Sequence, residues 1–104
     1  MTQTLSPITP GEILLEEFLI PLKISQNQLA RDIDVPVSRV SGIVKGARSI
    51  TADTALRLAA FFKTSPDMWL TLQSEYDLRL ARAERGAEIN RSVRAWDASK
   101  VAAA

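Results

Sequence analysis

The sequence predicts an all-α fold of five short helices followed by a C-terminal tail. Apolar residues recur at helical spacing, and a capping residue precedes each apolar run. No segment alternates polar and apolar residues over the length of a strand. The chain has 104 residues, of which 46% are hydrophobic and 24% charged, a composition typical of one globular domain. We expect that domain to span residues 1–82, with a partly helical or disordered tail over 83–104.

The first predicted helix begins at a capping box. Thr9 and Glu12 have the required spacing, and Pro10 suits the first helical position. The apolar face that should follow consists of Ile13, Leu14, Leu15, Phe18, Leu19 and Leu22. Pro21 is expected to end or distort this helix near Leu19 or Ile20, because proline lacks the backbone donor.

Two short helices should come next. Ser25 and Gln28 fit a second capping box, and the helix after Ser25 should stop at Asp34 after about two turns. Pro36 suits the start of the third helix, and Gly46 suits the position just after its end. The side chains predicted to point inward are Leu29, Ala30, Ile33, Val35, Val40, Ile43 and Val44.

The last two helices also carry start signals. Thr51 should cap the fourth helix, with Asp53 in its first turn, and Ser65 should cap the fifth. The fourth helix is expected to bury Ala55, Leu56, Leu58, Ala59 and Phe62. The fifth should present one stripe that contains Trp69, Leu72, Tyr76 and Leu80, with Trp69 in the core. After Arg82 the pattern weakens, and Gly86 favours fraying.

The composition excludes several kinds of chemistry. Without cysteine or histidine, the chain has no disulfide, no thiolate or imidazole catalyst, and no zinc site that needs those ligands. It also lacks paired acids, a glycine-rich phosphate loop and a nucleophile elbow, so we predict no enzyme, no cofactor and no metal. No apolar run is long enough to span a bilayer, and the first residues do not resemble a secretory signal, so we expect a cytoplasmic protein.

The positive charge is concentrated in the middle of the chain. Residues 25–63 carry six Lys or Arg against three Asp, a net charge of +3, whereas the whole chain has a net charge of +1. A basic segment of this size can bind phosphate, although most such segments are only solvated surface.

Residues 25–46 fit a helix-turn-helix motif. Two helices this short must cross at a steep angle, which requires a small residue, Ala30, at their closest approach. Asp34 tolerates the left-handed turn between them. The alternative is that the same apolar residues form the core of an arbitrary helical bundle. The spacing favours the helix-turn-helix, in which the second helix enters the DNA major groove.

The segments that carry a family resemblance are Pro10–Leu14, Ser25–Ala30, Ile50–Leu58 and Thr64–Gln73. From Ser25 to Ile50 the chain resembles the Cro/phage-repressor-like (XRE) DNA-binding family. Together the four segments resemble, more narrowly, a HigA-type antitoxin. The resemblance covers roughly residues 8–80 and implies a λ-repressor-like DNA-binding domain. The sequence departs from the pattern at Asp34, where glycine is usual, and the tail matches nothing in it.

Several residues are expected to contact DNA on the strength of this motif. Val37 and Ser38 lie at the leading end of the second motif helix, where base edges are met. Arg39 matches guanine O6 and N7, although a solvent-exposed ion pair is its alternative role. The full expected set is Ser25, Gln26, Val37, Ser38, Arg39, Ser41, Lys45 and Arg48. Arg57 and Lys63 are assigned to a charged face of the fourth helix.

The predicted partners follow from the motif and the resemblance. One helix-turn-helix reads a half-site, so we expect a homodimer on operator DNA, with Leu72, Tyr76 and Leu80 as candidate dimer residues. Their alternative role is to pack on the first helix within the monomer. The resemblance also implies a HigB-type mRNA-cleaving toxin as partner and repression of the chain's own operon. The alternatives are a stand-alone repressor without a toxin and a helical interaction module that does not bind DNA.

Overall fold

The computed structural model describes residues 7–97 and Ser99, and these residues form five helices, the first of which contains a π-helical segment. Helix α1 comprises an α-helical turn Pro10–Ile13, a π-helical segment Leu14–Leu19 and a second α-helical turn Ile20–Leu22. The other helices are α2 (Gln26–Asp32), α3 (Val37–Val44), α4 (Ala52–Phe62) and α5 (Pro66–Ser92). The predicted all-α fold is confirmed. Within the described part of the chain there is no strand, and no helix is long and apolar enough to cross a membrane.

The helix starts depend on the predicted caps, with one difference. Thr9 Oγ1 accepts from the Glu12 N–H and Glu12 Oε1 accepts from the Thr9 N–H, both at 3.1 Å, which completes the first capping box. Ser25 Oγ accepts from the Gln28 N–H at 3.0 Å. The hydrogen bonds of this described segment include none from the Ser25 N–H to the Gln28 side chain, so the second box is half formed. Thr51 caps α4 as predicted.

Helix α1 is distorted just before Pro21, as predicted. The Ile20 N–H donates to the Leu15 carbonyl, five residues back, and the π-helical segment ends at Leu19. This wider turn precedes a residue that has no N–H to donate. It also rotates the residues that follow relative to the α-helical period. Leu22, which the sequence places on the buried face, is therefore 57% exposed.

The core lies where all five helices meet. Its buried hydrophobic residues are Leu14, Leu19, Leu29, Ala30, Ile33, Val40, Ile43, Ile50, Ala55, Leu58, Ala59 and Trp69. The prediction that Leu56 is buried is wrong, because its side chain is 60% exposed. Helix α4 turns Ala55, Leu58 and Ala59 inward, and a residue directly after Ala55 lies about 100° away from that face.

An aromatic cluster joins α1, α4 and α5. The ring of Phe18 lies 4.8 Å from that of Phe62 and 4.9 Å from that of Trp69, between centroids. Trp69 is fully buried, and its indole N–H donates to Thr64 Oγ1 at 2.8 Å. The prediction that Trp69 belongs to the core is confirmed. The cluster fixes the start of α5 on the helices that support the motif.

Helix α5 continues without a break through Arg82 and Gly86 to Ser92. The first part of the predicted tail is therefore helical, and residues 93–97 are exposed and outside any helix. A division of the chain at residue 82 stays a prediction. The ends of the predicted domain and tail, at residues 1–6, 98 and 100–104, lie outside the described residues.

Candidate nucleic-acid interface

Helices α2 and α3 form the predicted helix-turn-helix. Leu29 and Ala30 of α2 are buried in the core, as predicted, and the position of Ala30 at the closest approach of the two helices stays a prediction. Asp34 has a φ of 62°, which is the left-handed turn that the sequence predicts at this position. The Val35 N–H donates to the Ala30 carbonyl at 3.0 Å and closes the turn. The turn forms with Asp34 where the family pattern has glycine.

The outward edge of α3 is open at its leading end. Val40 and Ile43 are each 2% exposed and face the core, whereas Val37 is 46% exposed and Ser38 is also exposed. Pro36, in an extended conformation, precedes the helix. Helix α3 ends at Val44, and Gly46, two residues further on, has a φ of 80°, which glycine adopts without strain. The side chains at the leading end of α3 are thus available to a ligand.

Helix α1 holds α3 in place through a direct backbone contact. A Cβ atom at Gly11 would lie 1.7 Å from the Ile43 carbonyl oxygen and 2.9 Å from Val44 Cα. Only a residue without a side chain permits this approach. The sequence predicts Gly11 only as part of a capping segment and of the family resemblance, and it does not predict this contact with α3.

An ion-pair network connects α3 to α4. Arg39 Nη1 lies 2.7 Å from Asp53 Oδ2, and Arg57 Nε lies 2.9 Å from the same oxygen. Arg57, and then Arg39, donate hydrogen bonds that hold the pKa of Asp53 below its ordinary value of 3.8. Arg57 Nη1 also donates to the carbonyls of Ile33 and Asp34, at 2.8 and 3.2 Å. Asp53 is therefore shared between the second motif helix and a residue that contacts the turn.

This network is the main feature of the site that the sequence analysis missed. Asp53 was predicted only as a first-turn acid and Arg57 only as part of a charged face. Their spacing of four residues is the signal of an ion pair along one helix, and it is visible in the sequence. The contacts of this pair with Arg39 and with the turn are tertiary, and no local pattern indicates them.

The loop between α3 and α4 carries further cationic groups. Lys45 and Arg48 are both exposed. The loop ends at Ile50, whose buried N–H donates to Gln73 Oε1 of α5 at 2.8 Å. Gln73 Nε2 donates in turn to Asp77 Oδ1 at 3.0 Å. An open cleft between the loop and the two helices is lined by Arg39, Arg48, Ser49, Thr51, Asp53, Thr54 and Arg57.

The remaining predicted contact residues have less distinctive surroundings. Ser25 is exposed and its hydroxyl caps α2, while Gln26 is half-buried in the first turn. Ser41 is half-buried, and its hydroxyl donates to the Ser38 carbonyl at 3.4 Å. Their contact with DNA stays a prediction.

The candidate dimer residues lie on α5. Leu72 and Tyr76 are half-buried and line a groove between α1 and α5, and Leu80, one turn further along, is half-buried as well. Both roles that the sequence leaves open, packing within the monomer and contact with a second copy, remain predictions.

Comparison with known proteins places this geometry in a family. A family model described as helix-turn-helix matches residues 15–69. A curated relative, virulence-associated protein I of Dichelobacter nodosus, is 46% identical over 78 residues, which are 75% of this chain and 72% of that protein. An addiction module antidote protein of the HigA family from Coxiella burnetii is 51% identical, with a TM-score of 0.82. That match covers 88% of this chain and all of that one.

Some solved structures of similar proteins contain DNA. One of them is the Pseudomonas aeruginosa antitoxin HigA with the higBA promoter, which is 45% identical with a TM-score of 0.82. The match covers 85% of this chain and 96% of that one. The predicted resemblance is thus confirmed by sequence and by fold.

Proposed function

Because the chain belongs to the XRE-type helix-turn-helix family of DNA-binding proteins, with HigA antitoxins as its structural neighbours, we propose that it is a sequence-specific antitoxin. In this role it binds operator DNA as a dimer, represses its own operon and neutralises a HigB-type mRNA-cleaving toxin. Binding to bacterial operator DNA takes place in the cytoplasm, which is the location we propose.

The open leading end of α3 is the observation that carries the proposal. Ser38 is exposed beside an exposed Val37, and the guanidinium of Arg39 lies in an open cleft at the same edge. A hydroxyl, a methyl-bearing side chain and a guanidinium are the groups that contact base edges, thymine methyls and guanine, respectively. We therefore propose that Val37, Ser38, Arg39 and Ser41 read bases in the major groove.

A second set of residues would bind the DNA backbone. Lys45 and Arg48 are exposed just after α3, and the buried bond from Ile50 to Gln73 holds the loop that carries them. Ser25 and Gln26 open α2, where first-turn N–H groups favour a phosphate. These contacts would set affinity and orientation, whereas those of α3 would set the sequence preference.

The dimer is proposed because one motif reads one half-site. Two copies would present their α3 helices about 34 Å apart, so that both enter the major groove on one side of the duplex. Leu72, Tyr76 and Leu80 are the candidate residues for the contact between copies. Their half-burial in the single chain is compatible with such a contact.

A footprint on the region upstream of the gene tests this proposal. The expected result is protection of two half-sites about one helical turn apart. In a gel-shift assay with the same DNA, the protein should retard the fragment, and the retardation should weaken as salt concentration rises. Absence of retardation at low salt would contradict DNA binding and favour a helical interaction module.

The toxin requires a separate experiment, since a stand-alone repressor would give the same footprint. Co-expression with a small basic product of a neighbouring gene should yield a stable complex and restore growth that this product alone arrests. If no neighbouring product binds the chain, the stand-alone repressor is the better account.

A further inference from the structure

We infer that Asp53 is a positioning residue that orients Arg39 for base recognition and lowers affinity for non-specific DNA. The inference rests on the proposed function, because it assumes that α3 reads bases through Arg39. It assigns a role in specificity to a residue of α4, outside the motif helices.

The geometry leaves part of Arg39 available to a ligand. Only Nη1 of its guanidinium contacts Asp53, at 2.7 Å, and the hydrogen bonds of the described residues include no other from this side chain. A guanidinium carries five donors in a fixed plane, so one edge can bind Asp53 while the other is presented to a base. The Arg39 side chain is 30% exposed. The bond to Asp53 therefore restricts the guanidinium without blocking it.

Asp53 is itself held from a second direction. Arg57 Nε donates to the same carboxylate oxygen at 2.9 Å, and Arg57 Nη1 donates to the carbonyls of Ile33 and Asp34. The carboxylate is thereby fixed relative to the turn of the motif as well as to α4. A flexible Arg loses much rotamer freedom when it binds a base, and anchoring it beforehand reduces that cost for the correct geometry.

The charge of Asp53 has a further consequence. It is the only carboxylate among the residues that line the cleft, where three arginines also lie. A negative charge there opposes the approach of any phosphate, irrespective of the bases. Sequence-independent binding depends on the attraction between cationic side chains and phosphates, so Asp53 weakens that binding. Base contacts then contribute a larger share of the binding free energy.

Asp53→Asn separates this role from a structural one. It removes the charge while retaining a side chain that suits a first turn. The matched control is Asp67→Asn, which removes an exposed acid from the first turn of α5 and changes the net charge equally. Binding of each protein to an operator duplex, to the same duplex with the recognised guanine replaced, and to an unrelated duplex is measured by fluorescence anisotropy.

For Asp53→Asn we expect tighter binding to the unrelated duplex, by about two- to fivefold. Discrimination against the replaced guanine should fall by about three- to tenfold, a part of what a whole bidentate arginine–guanine contact provides. In an Arg39→Ala background, the same substitution should change discrimination by less than about twofold, because its effect passes through Arg39. Asp67→Asn should behave as wild type in discrimination.

Two results would overturn the inference while leaving DNA binding intact. One is equal discrimination by Asp53→Asn and Asp67→Asn. The other is a loss of discrimination by Asp53→Asn that is the same with and without Arg39. If Asp53→Asn melts well below wild type, Asp53→Glu serves instead, and its discrimination should lie between those of wild type and Arg39→Ala. Failure of the wild-type protein to discriminate operator from unrelated DNA would instead overturn the proposed function itself.

Discussion

Substitution of Gly11 by alanine tests the packing that places α3. The added Cβ would lie 1.7 Å from the Ile43 carbonyl oxygen, and real contacts of this kind are at least 3.0 Å long. The atoms it meets belong to the backbone of α3, so no side-chain rotation relieves the overlap. Either α1 or α3 must move by more than 1 Å, the gap between those two distances.

Gly11→Ala changes the free energy of unfolding through two effects of opposite sign. Alanine is favoured over glycine within a helix by up to about 1 kcal/mol. Overpacking of a close contact costs about 1–3 kcal/mol, and more when backbone must shift. We expect the overlap to dominate at the upper end of that range, with a net loss of about 2 kcal/mol in the free energy of unfolding. Because α3 is the element displaced, operator affinity should fall too.

Urea unfolding monitored by far-UV circular dichroism measures this effect, and the chain offers a matched control. A Cβ at Gly86 of α5 would meet only Arg82 Cβ at 3.8 Å, an ordinary contact. Gly86→Ala should therefore stabilise the protein, by about 0.5–1 kcal/mol. The same substitution is thus predicted to have opposite signs at the two sites. A Gly11→Ala protein as stable as wild type would refute the proposed contact between α1 and α3.

Three further predictions concern the loop, its support and the ion pair. Lys45→Ala and Arg48→Ala should each weaken binding to operator and unrelated DNA alike and reduce the slope of log affinity against log salt by about one, as a salt titration measures. Gln73→Leu should lower the free energy of unfolding by about 1–3 kcal/mol, measured in urea, since the buried Ile50 N–H loses its acceptor; an unchanged midpoint would show that this bond does not hold the loop. Because arginine hydrogen bonds lower the pKa of Asp53 from 3.8, its ion pair contributes stability above that pH and loses it as pH falls through the lowered pKa. The chain has no histidine, the side chain that ordinarily titrates between pH 5 and 8, so operator affinity should stay nearly constant from about pH 5.5 to 7. A tenfold change in affinity over that range would contradict this prediction.

Local signals in the sequence were sufficient for most of the fold. The helix starts follow from Thr9, Ser25, Thr51 and Ser65, because a cap acts on backbone groups two or three residues away. Asp34 likewise reveals the turn through its own conformational tolerance. These features depend on neighbours in the chain, so a single sequence exposes them.

The wrong predictions concern the burial of two apolar residues and one hydrogen bond of a helix cap. Leu22 was placed on the buried face by a count of 3.6 residues per turn, which the π-helical segment before it breaks. Leu56 is apolar yet exposed, because apolar character alone does not assign a residue to one helix face. The second half of the Ser25 capping box was inferred from residue types, which allow the bond without requiring it.

The residues of the candidate site could be predicted from the sequence, whereas the tertiary contacts between them could not. The exposed edge of α3 and the cations after it follow from the motif. The contact of Arg39 with Asp53 joins residues 14 positions apart and depends on the angle between α3 and α4. The approach of Gly11 to Ile43 depends on how α1 crosses α3. Both require the tertiary arrangement, which no spacing in the sequence specifies.

Methylation interference on the operator tests most directly whether the outward edge of α3 enters the major groove. Methylation of guanine at N7 blocks a major-groove acceptor, whereas methylation of adenine at N3 blocks a minor-groove one. N7 methylation of guanines in two half-sites, about one helical turn apart, should prevent binding. The Arg39→Ala protein should no longer be affected by methylation at one guanine of each half-site. Interference confined to adenine N3, or a pattern unchanged by Arg39→Ala, would contradict the placement of this edge of α3 in the major groove.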